Sequence, residues 1–239
     1  MATKKGTGLM MVLADIPADK EEEFNRWYNE EHVGDLLSIP GILNAARYVA
    51  ISGGPKYLAC YELESPDVIQ SDAYQKQRAN PSEWSKRMSP TVIATSFVRN
   101  VYGQLFPAEV SPEATEGDMA PSLQIGRMDV PAEIEEEFNH WYNTVFVPGF
   151  ESVPGCIRGR RYTAVLGAPK YATVYEFEHE MVNRSAEWAA ARDADPRSIQ
   201  FRAHMTHAQG SPGTYRRIFP LQRGHRRLPG VERLMRKGE

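Results

Sequence analysis

Apolar residues follow two rhythms along this chain, and both rhythms occur twice in the same order. Leu9 to Asp15, LMMVLAD, is an apolar run closed by an acid. It shows no polar alternation, which predicts a strand buried on both faces. Pro17 and the acids of ADKEEEF then open a helix, because carboxylates favour its positive N-terminal end. At 3.6 residues per turn Phe24, Trp27, Tyr28, Glu31 and Asp35 share one face, with His32 at its edge. SIPG stops this helix. ILNAARYVAI reads as a second strand and SGGP as a tight turn. KYLACYELE is a third strand, with Tyr57, Ala59, Tyr61 and Leu63 alternating onto one face. SPDVIQSDAYQKQ starts a second helix, and a last strand is expected between Thr91 and Leu105. The order βαββαβ is the ferredoxin-like, split βαβ pattern.

The succession recurs at a constant offset of 114 residues. Leu13–Tyr48 lies over Arg127–Tyr162 without a gap, and GGPKYLACYELE lies over GAPKYATVYEFE. FNRWYNEEHV at Phe24 becomes FNHWYNTVFV at Phe138. The period exceeds that of solenoid repeats, so each copy is a domain-sized unit. The division expected is a first repeat over 1–107, a linker over 108–122 rich in Pro, acidic and small residues, a second repeat over 123–221, and a basic tail over 222–239. Two helices on one face of a four-stranded sheet leave the other face bare. Packing the two sheets face to face covers it. The fold expected is therefore α+β, two ferredoxin-like βαββαβ repeats packed sheet to sheet within one chain. Exposed sheet edges would let such pseudo-dimers form homo-oligomers.

Composition narrows the function. The chain of 239 residues is 41% hydrophobic and 25% charged, the balance of a globular protein. A net charge of -3 gives no basic footprint for nucleic acid. The N-terminal apolar run is too short for a membrane span of about 20 residues. Cys60 and Cys156 fall at non-equivalent places in the repeats, which argues against a disulfide and for a reducing cytoplasmic setting. No GxGxxG after a strand, P-loop, GxSxG, CxxC or HExxH occurs, so no nucleotide cofactor or such site is implied.

FNRWYNEEHV, IPGI, ARY and GPKYLACYELESPD together resemble the dimeric α+β barrel proteins, especially their EthD-like branch. The resemblance covers nearly all of each half. That superfamily includes cofactor-free monooxygenases, isomerases, lyases, dehydratases, haem enzymes and proteins without an assigned reaction, so it specifies fold better than activity. It implies a pocket within each repeat, between helices and sheet, with the histidine late in the first helix pointing in. Here that residue is His32, with Tyr28, Glu31 and Asp35 around it as candidate catalytic groups.

Two readings of His32 stand side by side: proton carrier, or a core histidine bonded to a carbonyl. The second repeat has Phe146, Val145 and Gly149 in place of His32, Glu31 and Asp35. The working site is therefore expected in the first half. Candidate substrate-binding residues are Trp27, Arg47, Tyr48 and Tyr61, and in the second half Trp141, Tyr142 and Arg161. Arg47 and Arg161 either clamp a carboxylate or enolate, or sit at a strand edge facing water or in a salt bridge to the helix acids. Tyr61 and Tyr175 are pocket wall or core. His140, His204 and His207 are a weaker alternative, since His204 and His207 lack a convincing third ligand for a metal. No cofactor and no metal are expected. The expected activity is His-assisted proton transfer on a small aromatic or enolisable acid or ketone, of lyase, isomerase, decarboxylase or dehydratase type. The alternatives are a cofactor-free monooxygenase, or a non-catalytic binding or stress-response module.

Overall fold

The unbroken run at Leu9–Asp15 does become a strand with two buried faces. In the computed structural model, which describes residues 3–220, β1 (Gly8–Asp15) turns Leu9, Met11 and Leu13 into one core and Met10 and Ala14 into another. After it come α1 (Glu21–Trp27), a π-helical turn over Tyr28–His32 and α2 (Val33–Leu37). Gly41 ends this unit at φ 89°, and Gly155 does so at φ 85° in the second half. Only glycine takes that backbone without steric cost.

The first half continues with β2 (Ile42–Ser52), β3 (Tyr57–Leu63), α3 (Asp72–Ala79), α4 (Glu83–Met88), α5 (Pro90–Ile93) and β4 (Ser96–Phe106). The joint holds α6 (Pro112–Glu116). The second half repeats the order with β5 (Ser122–Asp129), α7 (Glu135–Trp141), a π turn over Tyr142–Phe146 and α8 (Val147–Glu151). It goes on through β6 (Cys156–Leu166), β7 (Tyr171–Phe177), α9 (Ala186–Asp193), α10 (Arg197–Ala203), β8 (Thr206–His207) and β9 (Gly213–Phe219). Among the described residues no helix is long and apolar enough to cross a membrane. The basic tail expected from residue 222 lies outside the described residues.

The strand pairing corrects the expected architecture. The halves do not form two ferredoxin-like sheets laid face to face. Strands run in the order β7-β6-β4-β1-β3-β2-β9-β5, and β5 pairs back onto β7. The result is one closed antiparallel barrel of eight strands, to which β8 adds a two-residue edge on β5. Each half lends its last strand to the ring between the halves: β4 pairs with β6, and β9 with β2. The physical reason is the edge. A four-stranded sheet leaves two rows of unpaired backbone groups, and mutual pairing of the seams takes up much of both rows. The open edges on which association of pseudo-dimers was expected are thereby closed.

The barrel interior is a mixed core. Leu9, Met11, Leu13, Tyr48, Leu58, Tyr162 and Val174 fill its middle. Toward one end a buried ionic group forms, in which Arg160 Nη1 donates to Glu62 Oε1 at 2.8 Å and Lys5 pairs with Glu176. The joint closes this end rather than hanging free. Met119 and Ala120 are buried in the interior core, and Tyr48 Oη donates to the Ala120 carbonyl at 3.1 Å. The helices lie outside, over two further cores.

Candidate functional site

The outward side chains of β2 and β3 and the inner face of α1 enclose the first-half site. The helix does not keep the expected 3.6 period there. At Tyr28–His32 it widens to a π turn, with Val33 N–H reaching the Tyr28 carbonyl. Five residues per hydrogen bond bring His32 round onto Trp27. Their rings stack with centroids 4.5 Å apart, and His32 meets the edge of Tyr28 at 4.9 Å. Such turns recur at functional sites. The second half has the same turn, with Phe146 4.5 Å from Trp141, so the turn alone is a property of the fold.

His32 is partly buried and, among the described residues, makes aromatic contacts and no hydrogen bond. Burial, aided by the nearby Arg47 charge and opposed by Glu31, lowers its pKa to about 4. At neutral pH the imidazole is uncharged and offers a lone pair. Asp35 is partly buried, and burial together with the Glu31 charge raises its pKa.

Arg47 is 1% exposed and, among the described residues, has no carboxylate partner. Nη1 donates to Asn29 Oδ1 at 2.6 Å and Nη2 to Asn25 Oδ1 at 2.8 Å. The guanidinium lies 4.3 Å from the Tyr28 ring centroid, a cation–π contact. Tyr61 Oη donates to Tyr28 Oη at 3.2 Å. Beside Arg47 lies a cavity of about 10 Å³ lined by Phe24, Tyr28, Tyr57, Ala59 and Pro90 among others. That is room for one water. His32, Trp27, Arg47 and Tyr61 all meet around Tyr28, and of these only Tyr28 and Arg47 line the cavity.

Other candidates lie elsewhere. Tyr48 points into the barrel, on the opposite side of β2 from Arg47, because strand neighbours alternate faces. Glu31 does not face the cavity. Its Oε1 accepts from Ser82 Oγ at 2.5 Å, Ser85 Oγ at 3.0 Å and Trp27 Nε1 at 3.1 Å. Burial raises its pKa, but these three donors outweigh that and the net shift is downward.

In the second half Arg161 repeats the clamp, donating to Asn143 and Asn139 and stacking 4.2 Å from Tyr142. The space beneath is filled with rings. Phe146 packs on Phe150 at 4.7 Å, Phe150 stacks on Trp188 at 4.0 Å, and Phe201 stacks on Trp141 at 4.8 Å. At the equivalent positions the first half has His32, Leu36, Tyr74 and Met88. Trp141, Tyr142 and Arg161 therefore belong to a packed wall. Among the described residues no group of three or more His, Cys, Asp or Glu is placed to hold a metal. A haem, which some proteins of the resembling superfamily carry, does not fit either helix–sheet space, since one has room for a water and the other is packed with rings.

The residues that sequence reasoning missed are Ser82, Ser85, Trp84 and Pro90, on α4 and α5. Ser82 and Ser89–Pro90 were the available signals, as N-cap and N1 residues.

The sequence matches no protein-family model and no curated protein. Its fold is similar to several solved structures. An anthrone oxidase-like protein shares 14% identity at a TM-score of 0.57, over 90% of this chain and 93% of that one. A protein of Fusobacterium nucleatum subsp. nucleatum, provisionally named a monooxygenase, shares 10% identity at 0.56, over 89% and 93%. The chlorite dismutase of Candidatus Nitrospira defluvii shares 13% identity at 0.54, over 91% and 93%. These likenesses are likenesses of fold: the chain shares a barrel of strands with helices outside it with these proteins.

Proposed function

We propose that the chain is an enzyme for a small aromatic, enolisable substrate, and that it works from the first half by proton transfer to His32. One observation carries this reading. His32 is an uncharged imidazole without a hydrogen-bond partner among the described residues, stacked on Trp27 where the equivalent ring in the second half is Phe146. A neutral imidazole accepts a proton from a C–H or O–H acid, and its pKa rises as an anion forms beside it. Arg47 supplies a fixed positive charge for the enolate or phenolate oxygen, and the Tyr61–Tyr28 pair supplies hydroxyl dipoles. Trp27 gives the aromatic ring a surface to stack on.

The enolate so formed has two onward routes. Reprotonation elsewhere or loss of a leaving group gives isomerase or lyase chemistry. Reaction with O2, in which one oxygen atom becomes a new carbonyl oxygen on the substrate and the other leaves as water with the two hydrogens of the oxidised CH2, gives an oxygenase without a bound cofactor. The names of the anthrone oxidase-like and monooxygenase neighbours favour the second route. We read the two halves as a tandem duplication of an EthD-like unit in which the second copy became scaffold.

The test begins with thermal-shift screening of phenols, anthrones, lactones and quinones against wild type and His32→Phe. Turnover and oxygen uptake are then followed on any stabilising compound. We expect His32→Phe to lose at least about 100-fold in turnover, the scale of general acid–base catalysis, while melting as wild type does. Undiminished turnover in the variant would move the chemistry away from His32. Turnover without oxygen uptake would select the isomerase or lyase route.

A further inference from the structure

The two equivalent spaces are covered by closures of different chemistry. Over the second half, α10 lays Phe201 flat on Trp141, with centroids 4.8 Å apart, and against Phe138 at 6.1 Å. Over the first half, α4 has the buried Met88 rather than a ring at the equivalent position, and the exposed Arg87 beside it pairs with Glu23 at 3.5 Å. What ties α4 to α1 is Glu31, which accepts from both Ser82 and Ser85 while Trp27 Nε1 bridges Glu31 and Ser85. Val145 stands for Glu31 at the offset of 114. Around α4 the two halves align at an offset of 113, as Phe106–Pro107 and Phe219–Pro220 show, so Asp195 stands for Ser82 and Ser198 for Ser85. Val145 cannot accept a hydrogen bond, and the Ser198 hydroxyl is buried without a partner among the described residues. The latch is complete in the half with His32 and lacks its acceptor in the other.

Beneath the latch, α5 contributes Pro90 to the wall of the cavity beside Arg47. Met88 and Pro90 are the buried apolar residues of this stretch. Water can replace the hydroxyls that a part-exposed carboxylate holds, whereas a buried stacked ring pair has no substitute partner. The first closure is therefore built to come off and the second to stay.

We propose that residues 82–94 form a strap, that Glu31 is its latch, and that release of the latch opens the one-water cavity to a substrate beside Arg47 and Tyr28, the ring that His32 meets at its edge. The purpose assigned to the opening rests on the first half being the working site; the latch itself does not. Glu31 is on this account a positioning residue, acting through the strap rather than on the substrate.

The test is hydrogen–deuterium exchange on the full chain, comparing wild type, Glu31→Val and the double variant Ser82→Ala/Ser85→Ala. The double variant keeps the helix residue, so it reads the latch even where Glu31→Val folds poorly. Amides of 82–94 should exchange about tenfold faster in both, with 196–203 unchanged. Unchanged exchange in the strap would overturn the proposal, because something else would hold it. Equal acceleration in both halves would also overturn it, making Glu31 a support of the whole fold. A strap that loosens as expected while His32→Phe still turns over would sink the proton-transfer reading and leave the latch standing.

Discussion

A single ring carries the clearest pH signature. The unfolded chain takes up the His32 proton near its ordinary pKa of 6.5, the folded chain only near 4. Between those values the unfolded state holds more protons, so stability falls as the pH falls, and the loss is complete below the folded value. The difference in unfolding free energy between about pH 7 and about pH 4.5 should shrink by on the order of 2 kcal/mol in His32→Phe, allowing for the part of the ring that meets solvent. Urea unfolding at the two pH values measures this. Parallel losses in wild type and variant would show that the ring does not enter the fold uncharged. Much of this neighbourhood was legible at the residue level. Trp27, Tyr28 and His32 could be placed near one another from helix spacing, whereas the position of Arg47 stayed open, and the replacement of His32 by Phe146 marked the half to watch. The direction of Glu31 was not legible, because its partners Ser82 and Ser85 come from an element with no apolar rhythm.

At the scale of elements, each half pins its first helix to its second strand with one arginine and two asparagines. Arg47→Met leaves Asn25 Oδ1 and Asn29 Oδ1 without their donor and removes the contact with Tyr28. The expected cost is about 3 kcal/mol, and Arg161→Met should cost a similar amount. Urea denaturation of the two variants checks this. A much smaller effect at Arg47 than at Arg161 would mean that Arg47 is kept for a ligand rather than for the helix. The long elements followed from their patterns: the buried β1, the acid-led α1 and the alternating β3. The short α4 and α5 did not, since helices of six and four residues carry no periodic stripe. The last strand accordingly begins at Ser96, not Thr91. The π turn was also hidden, because five residues of widened helix leave the surrounding apolar positions unchanged.

For the molecule as a whole, closure of the barrel makes the halves interdependent. β4 and β9 each hydrogen-bond to one strand of either half. Chemical unfolding followed by tryptophan fluorescence and by far-UV circular dichroism should therefore give coincident, single transitions. Two separated transitions would mean that each half keeps its own core when the seams part. The recurrence of the same motifs at an offset of 114 was readable from the sequence. The ring was not, because alternation along a strand names the faces it buries and not the neighbour it bonds.

The ring stack of Phe146, Phe150, Trp188 and Phe201 has one more consequence. It anchors one side of the barrel with contacts that owe nothing to the polar strap on the other. Substitutions along residues 82–94 thus fall where the fold is least committed, and the chain can explore new openings there without risking its collapse. A library confined to that stretch is where altered substrate preference should be sought, with the aromatic half serving as the fixed ground beneath it.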